Sequence, residues 1–139
     1  MDIADQALTG TEGKTVQMPT YDFITCSRLK ETITLRPTEV VVVEGILVLT
    51  DKTLRDMTDV KVFVDAEADE RLIRVISRDC IERNRTPQMV IDRYREMLKP
   101  MHELYIEPSK RYADLIVPQG GHNMVAIKLL TDYIRSLLK

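Results

Sequence analysis

The spacing of hydrophobic residues changes along the chain, and each change predicts a different secondary structure. The segment TEVVVVEGIL, residues 38–47, contains an unbroken β-branched run from Val40 to Val43, which is typical of a strand buried on both faces of a parallel sheet. The segments DVKVFVD, residues 59–65, and ADLIVPQ, residues 113–119, predict two more strands, each closed by an acid or a proline. The chain is therefore expected to build a parallel sheet.

Helical patterns lie between and after the predicted strands, in residues 51–57, 66–83 and 87–108 and in a C-terminal stretch. In the second of these, an apolar stripe at spacings of three and four runs from Leu72 to Asp79 or Cys80. Pro87 suits a first helical turn, and Asn123 suits an N-cap. Strands that alternate with helices predict an α/β fold, a parallel sheet flanked by helices.

Two shorter strand patterns come before the β-branched run. KTVQMP and ETITLRP flank TYDFITCSRLK, and the second pattern alternates polar and apolar residues. These segments predict a β-hairpin over residues 15–36. No repeat or Gly/Ser-rich linker interrupts the sequence, so a single domain over residues 1–139 is expected.

Composition narrows the class of protein. The chain has 139 residues, 44% of them hydrophobic, and a net charge of −2, which gives no overall positive field for nucleic acid. The longest apolar run is far shorter than the ~20 residues of a membrane helix, and a secretory signal pattern is absent. Two cysteines without CxxC spacing favour reduced thiols and a cytoplasmic location.

The segment LTGTEGKT, residues 8–15, ends like a phosphate-binding loop. A Walker A loop needs four residues between its glycines, whereas Gly10 and Gly13 enclose two. The preceding segment is polar and Pro19 follows soon after, so neither the buried strand nor the helix of such a loop is present. A glycine turn is the better interpretation.

Glu44 stands at the end of the predicted central strand, directly before Gly45. A carboxylate at the carboxyl edge of a parallel sheet can hold Mg²⁺ directly or through water. Strand ends also finish in polar residues that only cap backbone N–H groups. The residues alone leave both interpretations open.

Five arginines crowd into residues 71–85, namely Arg71, Arg74, Arg78, Arg83 and Arg85. Acidic residues alternate with them, so a solvated, salt-bridged helix is one interpretation. The other is an arginine lid in which Arg78, Arg83 and Arg85 close over phosphate oxygens. Asn84, within this group, tolerates a positive φ.

Tyr21 and Phe23 alternate and are expected on one strand face, beside polar groups. They could stack on a nucleobase, or they could pack as ordinary core. His102 and His122 are isolated in the sequence, and neither is assigned a ligand role.

Taken together, these segments resemble the uridine/cytidine kinase family, in the order TYDF…SR, VVVVEGIL, VKVFVDAEADERLIR, RDCIERNR, LKPMHELYIEPSKRYADLIVP and GGHN…AI. The resemblance implies a P-loop phosphotransferase that moves the γ-phosphoryl of ATP, with Mg²⁺, to the 5′-hydroxyl of uridine or cytidine. It implies a nucleoside-binding hairpin at 15–36, a helical lid at 67–110 and a homo-oligomer.

The same resemblance implies roles for single residues. Tyr21 and Phe23 would lie against the nucleoside, Ile46 would line its pocket, and Glu44 would assist the metal. The arginines follow the lid interpretation: Arg78 and Arg83 would hold substrate or phosphate, and Arg85 would join the lid over ATP.

The sequence departs from the family pattern at three positions where the nucleoside is read. Cys26 stands where the family has His, Val75 where it has Arg, and Arg93 where it has Gln. A thiol and a valine do not replace an imidazole and a guanidinium, although Arg93 could restore a charge. The base preference therefore stays open.

The family's Walker A loop and catalytic aspartate precede the region matched by these motifs. The chain is thus expected to be an N-terminally truncated kinase with no activity alone, and DNA upstream of Met1 is expected to encode the missing loop. Two alternatives remain, a non-catalytic relic that binds a nucleotide or partner, and a phosphoribulokinase-like enzyme acting on another small hydroxyl substrate.

Overall fold

A computed structural model describes residues 15–36 and 38–138. All of LTGTEGKT except Thr15 lies outside these residues, so the interpretation of that segment stays a prediction. The described residues form two compact units, the first ending at Met57 and the second beginning at Thr58. The expected single domain likewise stays a prediction, and each unit is taken by itself.

The first unit contains the predicted hairpin. Strand β1, Val16–Asp22, pairs antiparallel with β2, Ser27–Leu35, from Val16↔Leu35 to Asp22↔Ser27, with an irregularity between Pro19 and Tyr21. The side-chain amide of Gln17 donates to Thr34 Oγ1 at 2.9 Å and its oxygen accepts from Thr32 Oγ1 at 2.9 Å. Polar cross-strand contacts of this kind stabilise a two-stranded hairpin.

The predicted central strand is wrong. Residues 40–45 belong to no strand, and Val42 is 80% exposed. A strand buried on both faces needs neighbouring strands for its backbone N–H and C=O groups, and none of the described strands pairs with this segment. The β-branched run favours a strand, but no described strand pairs with it.

The first unit ends in two short helical elements. A 3₁₀ turn covers Val48–Thr50. Helix α1 covers Lys52–Met57, which confirms the helix predicted in residues 51–57. The Asp51 carboxylate accepts the backbone N–H of Leu54 at 3.0 Å, which satisfies one of the unpaired donors at the helix start. Leu54 is the buried apolar side chain of this helix.

The second unit is built around two parallel strands. Strand β3, Val62–Val64, pairs with β4, Leu115–Val117, in the register Val62↔Leu115, which confirms both predicted strands and the parallel sheet. The pairing continues past the strand ends, because Asp65 N–H donates to the Val117 carbonyl at 2.8 Å and Gly120 N–H donates to the Asp65 carbonyl at 3.1 Å.

Helix α2, Ala68–Glu82, follows β3 along the chain and comes before helix α3, Pro87–Arg93. The side chain of Thr86 accepts the Met89 N–H at 3.3 Å and Pro87 occupies the first turn, so the predicted Pro-initiated helix is confirmed.

Residues 87–112 continue as one helical stretch that widens twice. π-helical turns at Tyr94–Leu98 and His102–Ile106 come before the short helices α4, Lys99–Met101, and α5, Glu107–Ser109. Pro100 and Pro108 stand in these helices. A proline lacks the N–H and clashes with the carbonyl four residues earlier, and a π turn accommodates both effects.

The last helix, α6, covers Met124–Leu137. Asn123 caps it as predicted, its side-chain oxygen accepting the Ala126 N–H at 3.1 Å. No helix among the described residues is long and apolar enough to cross a membrane.

The buried apolar side chains of the second unit are Phe63, Val90 and Val117. They come from β3, α3 and β4. Val90 is the most enclosed, at 1% exposed.

We predict that Val90→Ala lowers the free energy of unfolding by ~2 kcal/mol, because two methyl groups leave a packed site and a cavity remains. The matched control is Val125→Ala in α6, where the side chain is 71% exposed and the expected change is within ~0.5 kcal/mol. Urea unfolding of the two variants provides the comparison. Equal effects would show that Val90 is not a core position.

Candidate functional site

Three of the arginines converge on one carboxylate, that of Asp79. Its side chain is only 3% exposed. Oδ1 accepts a hydrogen bond from Nε of Arg78 at 2.9 Å and lies 2.8 Å from Nη2 of the same arginine. It also lies 3.4 Å from Nη1 of Arg83. Oδ2 lies 3.5 Å from Nη1 of Arg85. The arginines predicted as a lid, Arg78, Arg83 and Arg85, therefore form one group around Asp79, which we call the arginine cluster.

The backbone at the end of α2 brings the cluster together. Asn84 has a φ of 50°, as its residue type allows, and this left-handed residue turns the chain back on the helix end. Consequently the N–H groups of both Arg83 and Arg85 donate to the Asp79 carbonyl, each at 3.2 Å.

The salt-bridged-helix interpretation holds for only part of the group. Arg74 pairs with Glu70 at 3.8 Å, and both side chains are exposed, as on a solvated helix face. Arg71 is half-buried and donates to the Ala66 carbonyl at 3.0 Å, so it does more than solvate the helix. The cluster arginines share a buried acid instead of exposed ones.

Sequence reasoning gave Asp79 no role beyond the helical stripe and the alternating charges. A signal was nevertheless present, because Asp79 extends the stripe that starts at Leu72. A carboxylate on a buried helix face requires charged or hydrogen-bonding partners, and the arginines at positions −1, +4 and +6 are those partners.

The hairpin presents its two aromatic rings to solvent. Tyr21 and Phe23 lie edge to face with ring centroids 5.2 Å apart, and they are 49% and 59% exposed. They are thus not core residues. Phe23 lies beyond the end of β1, in the turn, so the expectation of a shared strand face is wrong; the turn itself brings the rings together.

Asp22 organises that turn. Its carboxylate accepts the Thr25 hydroxyl at 2.7 Å and the Ile24 N–H at 2.8 Å. These two bonds, the hydroxyl first, lower the pKa of Asp22 below its usual value. Cys26 has a φ of 53°, and its exposed thiol lies 3.7 Å from the Phe23 carbonyl oxygen.

The remaining predicted site residues are members of neither the arginine cluster nor the hairpin turn. Glu44 and Ile46 are exposed in a segment without strand structure, so Glu44 does not end a strand as expected. Arg93 is exposed in the last turn of α3. Within residues 15–36 and 38–138, no three His, Cys, Asp or Glu side chains gather as they would in a metal site built by protein alone.

A cleft that the sequence did not reveal lies at the carboxyl ends of β3 and β4. It encloses about 520 Å³, and its lining includes Asp65, Glu67, Glu70, Arg74, Gln119 and His122. Gln119 has a φ of 63°, which turns the chain sharply after β4. Carboxyl edges of parallel sheets are where α/β proteins bind ligands, so we call this the edge cleft.

Asp65, one of the lining residues, is paired with Lys110. Nζ of Lys110 lies 2.6 Å from Asp65 Oδ2 and 3.5 Å from Glu107 Oε1. The bond from Lys110 lowers the pKa of Asp65, and the same bond raises the pKa of Lys110.

His102 is partly buried, and burial, together with the charge of Arg71, lowers its pKa.

Comparison with known proteins identifies the family. A sequence profile described as Phosphoribulokinase / Uridine kinase family matches residues 2–126. The chain belongs to this family.

Curated relatives named uridine kinase are similar over most of the chain. Those of Macrococcus caseolyticus and Staphylococcus epidermidis are 50% and 51% identical over 127 and 126 residues, 91% of this chain in each case and 62% and 61% of the relatives. The protein of Ligilactobacillus salivarius is 51% identical over 91% of the chain and 59% of its own length. The chain thus spans about three fifths of the relatives that it matches.

We predict that Lys110→Met makes the free energy of unfolding less dependent on pH below pH 4. The folded pKa of Asp65 is lowered, so its contribution is present above the unfolded value of about 3.9 and is lost as pH falls through the folded pKa. Without Lys110 that loss should largely disappear. Urea unfolding between pH 6 and pH 2 measures it, with Lys128→Met as the control because its pair with Asp132 is exposed. Parallel curves for all three proteins would contradict the prediction.

Proposed function

We propose that this chain is part of a kinase that transfers the γ-phosphoryl of ATP to the 5′-hydroxyl of uridine or cytidine. The observation that carries the proposal is the arginine cluster, in a chain about 50% identical to proteins named uridine kinase. We assign neither the phosphate loop nor the proton acceptor to residues of this chain. A segment that the relatives possess would supply them.

The arginine cluster has the charge and the access needed for phosphate. Three guanidiniums surround one carboxylate, and the side chains of Arg78, Arg83 and Arg85 are 44%, 20% and 22% exposed. Guanidinium groups match pairs of phosphate oxygens. In the transition state, negative charge spreads over the oxygens of the transferred phosphoryl, and positioned arginines stabilise that charge.

The edge cleft suits the other end of a nucleotide. Asp65, Glu67 and Glu70 line it with carboxylates, which accept hydrogen bonds from base amino groups and ribose hydroxyls but repel phosphate. Glu70, Arg74 and Arg78 follow each other at spacings of four and share one face of α2. This face leads over roughly 12 Å from the cleft to the arginine cluster. We propose that ATP lies along it, base in the cleft and phosphates at the cluster.

The hairpin is our proposed nucleoside site. Tyr21 and Phe23 expose ring surface of the kind on which a base stacks. Family resemblance assigns nucleoside contacts to Cys26 and Ile46 as well, and it makes Arg93 a further candidate.

Mg²⁺ would accompany ATP and neutralise phosphate charge. It is commonly held by one or two carboxylates together with substrate phosphates. Family resemblance assigns one such contact, direct or through water, to Glu44, whose carboxylate is exposed. When bound, the ion would supply electrostatic stabilisation of the transferred group.

We predict that each of Arg78→Ala, Arg83→Ala and Arg85→Ala lowers turnover sharply in this chain joined to the segment of a relative that carries the phosphate loop. A well-placed arginine contributes ~10³-fold or more in phosphoryl transfer. Steady-state kinetics with uridine and ATP measures the effect.

The control is Arg95→Ala, because Arg95 is exposed and lies in a π-helical turn outside the cluster. It should stay within about twofold of the parent, since an exposed arginine contributes little. Equal small effects of all four substitutions would mean that the cluster does not act in transfer.

We also predict that Tyr21→Ala and Phe23→Ala raise KM for uridine in the same joined enzyme while KM for ATP stays unchanged. Loss of stacking on one aromatic ring costs ~1–3 kcal/mol, or roughly 5- to 150-fold in affinity. Tyr133→Ala, which removes an equally exposed ring from α6, is the control. An unchanged uridine KM would exclude the hairpin as the nucleoside site.

A further inference from the structure

Asp79 differs from the other acids of α2 in its burial. Asp69, Glu70 and Glu82 are exposed, whereas the Asp79 side chain is 3% exposed. A buried carboxylate is costly unless charged donors satisfy it. Here both oxygens face guanidiniums, with Oδ1 close to Arg78 and Arg83 and Oδ2 close to Arg85.

The same residue also holds the backbone that carries two of those arginines. The Asp79 carbonyl accepts the N–H groups of Arg83 and Arg85, each at 3.2 Å. Asp79 therefore fixes the turn through its main chain and the guanidiniums through its side chain. Removing the carboxylate would leave the turn but release the side chains.

Three guanidiniums held close together repel one another, and a single carboxylate offsets only part of that repulsion. Each guanidinium has five N–H donors, whereas a carboxylate offers about four acceptor sites. Asp79 cannot occupy all of these donors. It can orient the groups while Arg78, whose side chain is 44% exposed, keeps donors for a further anion.

We propose that Asp79 is the positioning residue of the arginine cluster and that it holds Arg78, Arg83 and Arg85 as a preformed site for a polyphosphate. The proposal rests on the phosphate-binding role given to these arginines above. Asp79 does not touch the phosphates; it acts by setting the directions of the guanidiniums. Preorganised donors bind more tightly because less side-chain freedom is lost on binding.

The effect of neutralising Asp79 separates this proposal from plain electrostatics. Asp79→Asn makes the protein more positive by one charge, so an unpositioned cluster would bind a polyanion more tightly. If Asp79 positions the arginines, the same substitution weakens binding despite the added charge. The two explanations therefore predict opposite signs.

The experiment is calorimetric titration of the 139-residue chain with inorganic tripolyphosphate at fixed low ionic strength. We expect Asp79→Asn to weaken binding about tenfold, which corresponds to the loss of roughly one charge-assisted hydrogen bond. The control is Asp69→Asn, which changes the net charge equally at the exposed start of the same helix. It should stay within about twofold of the wild type.

Unchanged or tighter binding by Asp79→Asn would overturn the positioning role while leaving the phosphate site intact. Wild-type chain that fails to bind tripolyphosphate would overturn both. A third outcome is that tripolyphosphate binding follows our expectation while the joined enzyme does not phosphorylate uridine. That outcome would support the positioning role and refute only the proposed substrate.

A second measurement needs no variant and covers the case in which Asp79→Asn does not fold. Hydrogen exchange of arginine Nε–H groups is followed by NMR in the wild-type chain without ligand. Arg78 donates this group to Asp79, so its exchange should be at least tenfold slower than that of exposed Arg95. Equal exchange rates would show that Asp79 does not hold the guanidinium, and the proposal would fail.

Discussion

The pairing of one buried carboxylate with three guanidiniums is the constraint on which the candidate site depends. Asp79 lies on the inner side of α2, where an ionised side chain is stable only with charged partners. The requirement is met by residues on both sides of the helix end, Arg78 within the helix and Arg83 and Arg85 beyond it. The turn that follows is held by the backbone carbonyl of Asp79 itself, which accepts the N–H groups of Arg83 and Arg85. Asn84 makes this possible because it accepts the left-handed conformation that returns the Arg85 N–H to the Asp79 carbonyl.

A second polar pair gives the parallel strands a fixed carboxyl edge. Asp65 follows β3 directly, donates through its N–H to the Val117 carbonyl, and holds the Lys110 ammonium at 2.6 Å. Lys110 comes from the end of the long helical stretch at 87–112, so the pair ties that stretch to the strand edge. Helix α2 begins three residues after Asp65, which places its first turn beside the edge cleft. One helix thus has its start at the cleft and its end at the arginine cluster.

The sequence predicted those features that depend on neighbouring residues. The hairpin, the Asn123 cap, the helix start at Pro87 and the positive φ that Asn84 tolerates all follow from local chemistry, and the structure contains each of them. The β-branched run from Val40 to Val43 was misread, because a strand exists only if another strand pairs with it, and that partner is not a property of the segment. Asp79 was missed for a related reason. An acid among arginines in a helix is typical of an exposed, salt-bridged surface. Whether it is buried depends on how the helix packs, which the local sequence does not specify.

The charges of α2 also explain how one helix can serve two chemically different parts of a ligand. Asp69 and Glu70 occupy its first turn, where carboxylates are favoured by the partial positive charge of the unpaired N–H groups. Arg78 lies in the second half of the helix and Arg83 is its C-cap residue, whereas Arg71 and Arg74 lie in the first half. Three carboxylates thus line the cleft together with Arg74, whereas the other end of the helix carries three guanidiniums around Asp79. A nucleotide has the complementary asymmetry, with amino and hydroxyl donors at one end and anionic oxygens at the other. In the orientation that we propose, its two ends meet the two ends of α2 with matching charge, and the reversed orientation would set phosphate against three carboxylates.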